Sequence, residues 1–142
     1  MLDNIVICRK LAVLISYYKE LQELTGNLTL DEYLNTLQAK RAIEREIQLI
    51  VECATDINNM ILKKLKQGPS QDYFNSFINL AENNIIPMDF ALIIAPSTGL
   101  RNILVHEYQQ VDDKIVYHSI TKVLNSYREY IKLISDYLDC GV

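Results

Sequence analysis

The sequence has few of the residues that build metal sites and disulfide frameworks. Its 142 residues include only three cysteines and two histidines. Cys8, Cys53 and Cys140 show no metal-ligand spacing, and an odd number leaves one cysteine over in any pairing. The simplest prediction is that all three are free thiols in a reducing cytoplasm. We also expect no structural zinc and no cofactor.

Long apolar segments are missing as well. The run from Leu11 to Ile15 is short, follows Asp3, Arg9 and Lys10, and has no small-residue cleavage site after it. It is therefore not typical of a signal peptide. No stretch reaches the roughly 18 apolar residues that a membrane-spanning helix needs. We expect a cytoplasmic protein with no membrane partner.

Several signatures of common enzyme classes are absent. The sequence contains no Walker-type glycine loop, no paired-carboxylate metal site and no arrangement of serine, histidine and aspartate typical of a hydrolase. Kinases, metalloenzymes and triad hydrolases therefore find no support.

Excess positive charge is lacking too, because the formal net charge is −4. This sign disfavours a nucleic-acid binder that relies on a broad basic face. Residues 37–66 are the exception, with six cationic and four acidic side chains and a balance of +2. A solvated helix face is the more common explanation for such a cluster. Any contact with RNA would have to be local.

The pattern of apolar residues is helical along the whole chain. Between Leu2 and Leu24 there is no proline or glycine, and Gly26 is a natural stop. The apolar stripe of this first helix is too wide for one neighbour, so the helix either lies between two others or meets a second subunit. A capping box of Thr29 and Glu32 then opens a long helix.

The long second helix is expected from about Leu30 to Lys66, with a kink or second cap near residues 37–43, where the apolar spacing breaks. The remaining expected elements are a helix capped by Ser70 and ended by Asn83-Asn84, a brief helix over Met88–Ile94, a helix from about Gly99 to His106, and a last helix capped by Asp112 that extends to Leu138. Only Ala91–Ile94 could instead form a strand. We predict an all-α single domain over residues 1–142, an up-and-down bundle of four main helices with short extra helices.

The most chemically capable stretch runs from Arg101 to Tyr108 and includes Asn102 and His106. Arg101 is expected in the first turn of its helix, where unpaired backbone N–H groups favour an anion. Asn102, the third candidate catalytic residue, is one turn from His106, so its amide can hydrogen-bond one imidazole nitrogen and set its tautomer, or it can orient a phosphate. The stretch therefore combines a phosphate-binding cation with a proton-transfer group.

These residue types fit metal-independent cleavage of RNA. A histidine with an ordinary pKa near 6.5 can act as base or acid at neutral pH, so His106 would remove the proton of a 2′-hydroxyl. Arg101 would stabilise the charge that develops on the phosphate, and a 2′,3′-cyclic phosphate would form. One histidine cannot readily act as base and as leaving-group acid in the same turnover, which a symmetric dimer with two motifs would solve.

The fuller string from Gly99 to Tyr108, followed by Val111-Asp112, resembles the Arg-x4-His-x-Tyr signature of the HepT-like ribonuclease toxins of the HEPN superfamily. More loosely, the resemblance extends over most of the chain. It implies a homodimer with a composite cleft at its interface. It also implies that Tyr108 accepts AMP groups from a minimal nucleotidyltransferase antitoxin that silences the toxin; added negative charge beside Arg101 would repel RNA phosphate.

Each candidate also has a plain structural interpretation. His106 could merely cap its helix while Arg101 pairs with an acid, and Tyr108 could be a packing tyrosine. His118, on the last helix, is interpreted as structural. The main alternative function is a non-catalytic HEPN module that binds nucleotide, RNA or a partner protein, which the acidic net charge favours. A purely structural helical adaptor would leave the motif unexplained.

Overall fold

A computed structural model describes residues 2–141, apart from the side chains of Leu2 and Tyr108. These residues form seven α-helices and one short 3-10 helix, in the order α1 (Leu2–Thr25), α2 (Leu30–Asn35), α3 (Leu37–Lys64), α4 (Tyr73–Glu82), α5 (Met88–Ile94), α6 (Ser97–His106), the 3-10 helix (Tyr108–Gln110) and α7 (Asp113–Leu138). The described residues include no strand, and the all-α prediction is confirmed.

Helix α1 runs antiparallel to α3. Near its beginning, Asn4 accepts a hydrogen bond of 2.6 Å from Lys64 at the end of α3. One and a half turns later, Lys10 forms an ion pair of 3.3 Å with Asp56. The packed face of α1 is buried in the core, whereas Ile5, on another face, is 50% exposed. Because α1 also contacts α7, the expectation that it lies between two other helices is met.

Helix α7 runs parallel to α3 and is hydrogen-bonded to it at two levels. Lys40, in the first turn of α3, donates to Asp113 at the start of α7 over 2.8 Å. In the middle, the buried hydroxyl of Tyr130 donates to Asn58 Oδ1 at 2.6 Å. The three long helices thus form one side of the bundle, and the shorter helices α4, α5 and α6 complete it.

The expected long second helix is in fact two helices, and the break lies at Thr36. The backbone of Thr36 is extended, with φ −115° and ψ 94°. Just before it, the side-chain amide of Asn35 donates to the backbone carbonyl of Asp31 at 2.8 Å. A side chain that bonds the carbonyl four residues back competes with continuation of the helix. The capping box of Thr29 and Glu32 at the start of α2 is confirmed.

Two predicted helix starts are wrong. Asp72 and not Ser70 caps α4, since the Asp72 carboxylate accepts from the Asn75 N–H at 2.7 Å. The Ser70 hydroxyl instead accepts from the side chain of Asn79. Helix α6 begins at Ser97 and not near Gly99. The predicted cap of α7 at Asp112 is confirmed.

The segment from Met88 to His106 is, by length and composition alone, apolar enough to cross a membrane. In the structure it is interrupted: α5 ends at Ile94, and a turn at Ala95 and Pro96 leads into α6. Neither helix reaches the roughly 20 residues that a span requires. Ala91–Ile94, the one segment that could have been a strand, is helical.

The prediction of three free thiols is wrong. Cys8 in α1 and Cys140 after α7 form a disulfide across 132 residues of sequence, while Cys53 is a buried free thiol. The pairing follows from the antiparallel packing of α1 on α7, which brings the first turns of one helix to the end of the other. The positions of Cys8 and Cys140 in the sequence do not by themselves predict that the two residues are close in space.

Candidate functional site

Helix α6 carries the motif and is anchored at its first turn. The Ser97 hydroxyl lies 2.7 Å from the hydroxyl of Tyr127 in α7. Burial raises the pKa of Tyr127 well above its ordinary value, so this phenol stays protonated at neutral pH. Thr98, which is buried, donates to the carbonyl of Ala95 at 2.8 Å. One side of α6 is thereby fixed to the bundle, and the opposite side faces solvent.

Because α6 begins at Ser97, Arg101 is its fifth residue and not part of its first turn. The unpaired backbone N–H groups of a helix belong to its first four residues. Arg101 is therefore one turn beyond the helix end that favours anions. Its capacity to bind phosphate must come from its own side chain.

The guanidinium of Arg101 is held by an acid from α3. Both Nε and Nη2 donate to Glu52 Oε2, at 2.9 and 2.6 Å. The side chains are 13% and 26% exposed, so this is a partly buried ion pair. The amide of Gln48, one turn earlier on α3, donates to the same oxygen at 3.1 Å. The structural expectation that Arg101 pairs with an acid is thus met, and the acid is Glu52.

Two further contacts fix the plane and direction of the guanidinium. Its Cζ lies 4.7 Å from the ring centroid of Tyr73, the first residue of α4, a cation–π contact. Its Nη1 donates to Asn102 Oδ1 at 3.1 Å. Asn102 and His106 are one helical turn apart, so the Asn102 side chain that contacts Arg101 lies on the same face of α6 as His106.

His106 is the last residue of α6 and is exposed to solvent. Within the described part of the chain, no hydrogen bond joins it to Asn102, whose amide oxygen is engaged by Arg101 instead. The expected pairing of Asn102 with the imidazole is therefore not seen, and Asn102 contacts the cation. Glu107, which is exposed, caps the end of the helix, and its backbone N–H donates to the Ile103 carbonyl at 3.1 Å. An accessible imidazole at a helix end can receive a large substrate.

Tyr108 opens the 3-10 helix directly after α6. Its side chain lies outside the described residues, so the predicted modification site has a backbone position only. His118 lies on α7, with its ring edge-on to Tyr117 at 5.4 Å. It lines a small cleft with residues of the α1–α2 connection such as Leu28. It is not part of the α6 cluster.

A cleft of about 180 Å³ lies beside the first turns of α6, between α5, α6 and α7. It is lined by Ile93, Ser97 and Leu100 among others, and it contains neither Arg101 nor His106. His106 is exposed at the end of α6, whereas the Arg101 side chain is 13% exposed. An exposed histidine suits a long polymer better than a small molecule that needs to be enclosed.

Only part of the cationic stretch over residues 37–66 is engaged in ion pairs. Lys40 pairs with Asp113 at 2.8 Å and Arg41 with Glu44 at 3.1 Å. Among the described residues no ion pair is found for Arg45, which is exposed. It precedes Glu52 by seven residues, so it lies within about 20° of the same helix face. The interpretation of this stretch as a solvated face fits most of it, and Arg45 remains for a local contact near α6.

Sequence reasoning missed Glu52, Gln48 and Tyr73. Glu52 is 49 residues from Arg101 in the sequence, and nothing local marks it among the other acids of α3. Tyr73 is one of nine tyrosines. The residues that orient the arginine were therefore visible only once α3, α4 and α6 were packed together.

Comparison with known proteins points to nucleases. A family model described as ribonuclease HepT-like matches residues 14–134. The tRNA nuclease HepT of Aphanizomenon flos-aquae is 39% identical over 137 residues, which cover 96% of this chain and 92% of that protein. The mRNA nuclease HepT of Shewanella oneidensis is 30% identical over 131 residues, with coverages of 92% and 97%.

A solved structure gives the same fold. The tri-AMPylated HEPN toxin of Shewanella oneidensis, in complex with an MNT antitoxin, aligns with a TM-score of 0.83 at 27% identity. The alignment covers 92% of this chain and 97% of that one. The similarity extends over nearly the whole length of both chains.

Proposed function

Because the chain belongs to the HepT-like family of ribonucleases, we propose that it is the toxin of a toxin–antitoxin pair and cleaves RNA without a metal ion at Arg101 and His106. The observation that supports the proposal is that α6 carries both the exposed His106 and Arg101, whose guanidinium is held by Glu52 and contacts Asn102, one turn before His106. The cytoplasm is the proposed location because RNA is abundant there; the cysteines no longer support it, since Cys8 and Cys140 form a disulfide and are not free thiols.

The proposed reaction is a transesterification within the RNA strand. His106 takes the proton of the 2′-hydroxyl, the 2′-oxygen attacks the adjacent phosphorus, and the bond to the 5′-oxygen breaks. The products are a 2′,3′-cyclic phosphate and a 5′-hydroxyl end, which receives a proton. Arg101 stabilises the additional negative charge on the phosphate in the transition state. Asn102 supports Arg101 through the 3.1 Å contact.

We further propose that the active form is a homodimer in which two motifs share one cleft. A second His106 would then protonate the leaving oxygen while the first acts as base. Exposed apolar side chains on the same side of the molecule as the motif support this arrangement: Leu92 and Ile93 of α5 are 58% and 51% exposed, and Ile103 of α6 is 37% exposed. A purified chain with the mass of a monomer at micromolar concentration would argue against it.

The proposed antitoxin is a minimal nucleotidyltransferase that transfers AMP to Tyr108. Tyr108 follows His106 by two residues, and the structural relative in complex with an MNT antitoxin is AMPylated. An AMP group brings negative charge and bulk to the end of α6. It would compete with RNA phosphate for Arg101 and obstruct access to His106.

Expression in cells tests the proposal. The wild-type chain should arrest growth and fragment total RNA, whereas Arg101→Ala and His106→Ala should do neither at equal protein level. Co-expression of the cognate nucleotidyltransferase should restore growth to wild type and add AMP to the toxin, as seen by mass spectrometry. Tyr108→Phe should escape this rescue, and the exposed Tyr137→Phe serves as the matched control.

Arrest that persists in both the Arg101 and His106 variants would favour the alternative of a non-catalytic binding module.

A further inference from the structure

The side-chain cluster around Arg101 contains an acid that the proposed reaction does not use. Glu52 Oε2 accepts hydrogen bonds from two nitrogens of the guanidinium and from Gln48. A carboxylate next to a phosphate-binding arginine would weaken the attraction for RNA, since its charge offsets that of the cation. Its presence needs an explanation other than substrate affinity.

The hydrogen-bond donors of Arg101 provide an explanation for the presence of Glu52. The guanidinium carries five N–H groups on three nitrogens. Within the described residues, Glu52 takes one at Nε and one at Nη2, and Asn102 takes one at Nη1. One N–H remains on each terminal nitrogen. Each of these N–H groups can donate to a phosphate oxygen, for which arginine is the preferred partner.

The remaining contacts limit how the guanidinium can rotate. Glu52 fixes its inner edge, and the ring of Tyr73, 4.7 Å from Cζ, covers one of its faces. Gln48 in turn restrains the Glu52 carboxylate. A long side chain with several rotatable bonds is thereby reduced to few orientations before substrate arrives.

We propose that Glu52 is a positioning residue for RNA cleavage: it holds Arg101 so that the two free N–H groups meet the scissile phosphate. The inference rests on the proposed ribonuclease function. It extends that function by giving Glu52 a role: Glu52 positions Arg101, and Arg101 stabilises the transition state. The same contact makes Glu52 unfavourable for ground-state binding, because it cancels positive charge beside the phosphate.

These opposing effects give a kinetic signature. In Glu52→Ala the arginine is free to rotate, and kcat should fall by about 10- to 100-fold, the range expected for a misplaced catalytic group. KM should stay equal or decrease, because one negative charge has been removed near the substrate. Glu52→Asp keeps the charge but is one methylene shorter, so kcat should fall while KM stays unchanged.

Asp56→Asn is the matched control. Asp56 lies one turn beyond Glu52 on α3, is exposed, and pairs with Lys10 and not with Arg101. The substitution removes the same charge from the same region of the helix, so it reproduces any general electrostatic effect on KM. Its kcat should equal that of the wild type.

The experiment is steady-state cleavage of a fluorescent RNA by the purified full-length chain, with each variant assayed below its own melting temperature. A lower kcat without a higher KM in both Glu52 variants supports the inference. An unchanged kcat in Glu52→Ala overturns the inference, because the ion pair then has only a structural role. A higher kcat also overturns it, because Glu52 then holds Arg101 away from the phosphate. A wild-type chain that does not cleave RNA refutes the proposed function itself, and the inference with it.

Discussion

Asn58 is expected to be one of the residues whose loss costs the bundle most. It is fully buried on α3 and links two other helices. Its Oδ1 accepts from Tyr130 of α7 at 2.6 Å, and its Nδ2 donates to Ser76 of α4 at 3.0 Å. Asn58→Ala removes both bonds and leaves a small void between α3, α4 and α7.

The size of the effect follows from what the neighbours retain. After the substitution, Tyr130 still donates to the Ala54 carbonyl at 3.1 Å, and Ser76 still donates to the Tyr73 carbonyl at 2.7 Å. No buried hydroxyl is left without any partner, so the heaviest penalty does not apply. Two lost hydrogen bonds at about 1 kcal/mol each, plus a cavity of a few heavy atoms, give a destabilisation of about 3 kcal/mol.

Thermal denaturation followed by far-UV circular dichroism measures this. For a chain of this length, 3 kcal/mol corresponds to a decrease in Tm of roughly 10 °C. Asn125→Ala, at an exposed position of α7, is the matched control and should stay within about 0.5 kcal/mol of the wild type. A destabilisation by Asn58→Ala of less than about 1 kcal/mol would refute the reasoning, because the network would then be dispensable.

Two further predictions concern the disulfide and a buried carboxyl. Reduction, or Cys8→Ser, should lower Tm by about 10 °C or more, since closing a loop of 132 residues is worth up to about 5 kcal/mol in the chain-entropy model; an unchanged Tm, with all three thiols alkylated without a reductant, would contradict the pairing of Cys8 with Cys140. Burial, followed by the charge of Glu20, raises the pKa of Glu46 from 4.5 to about 7, so the folded chain binds an additional proton in this range and loses stability as pH rises from about 4.5 to 7. Glu46→Gln should therefore raise Tm by a few degrees at pH 8 and change it little at pH 4.5; equal shifts at both pH values would show that the proton is not involved.

Local signals in the sequence predicted much of the helix pattern. The capping box at Thr29 and the cap at Asp112 are confirmed because a side chain that satisfies backbone N–H groups two or three residues away acts within its own segment. Ser70 failed as a cap because a better candidate, Asp72, lies two residues later and Ser70 itself bonds to Asn79. Such competition between neighbouring polar residues is decided by tertiary contacts.

The position at which α6 begins decides which groups surround Arg101. Pro96, Thr98 and Gly99 suggested a turn, yet Pro96 has φ −59° and ψ −18° and is compatible with an immediate helix. The helix thus begins at Ser97. Arg101 therefore lies beyond the unpaired backbone N–H groups at the start of the helix. Its side chain is contacted instead by Glu52, Asn102 and Tyr73.

Contacts between distant segments could not be predicted from spacing. Arg101 and Glu52 are 49 residues apart, Tyr130 and Asn58 are 72 apart, and Cys8 and Cys140 are 132 apart. Each pair depends on the relative direction and register of two helices. These are set by the summed packing of many apolar side chains, which no short motif encodes.

The measurement that tests the account most directly is cleavage of RNA by the purified chain in excess EDTA, with the new 3′ ends analysed. The account predicts metal-independent cleavage that leaves 2′,3′-cyclic phosphates and that falls by at least about 100-fold in both Arg101→Ala and His106→Ala. Cleavage of equal rate in the His106 variant, or products with 3′-hydroxyl ends, would contradict it.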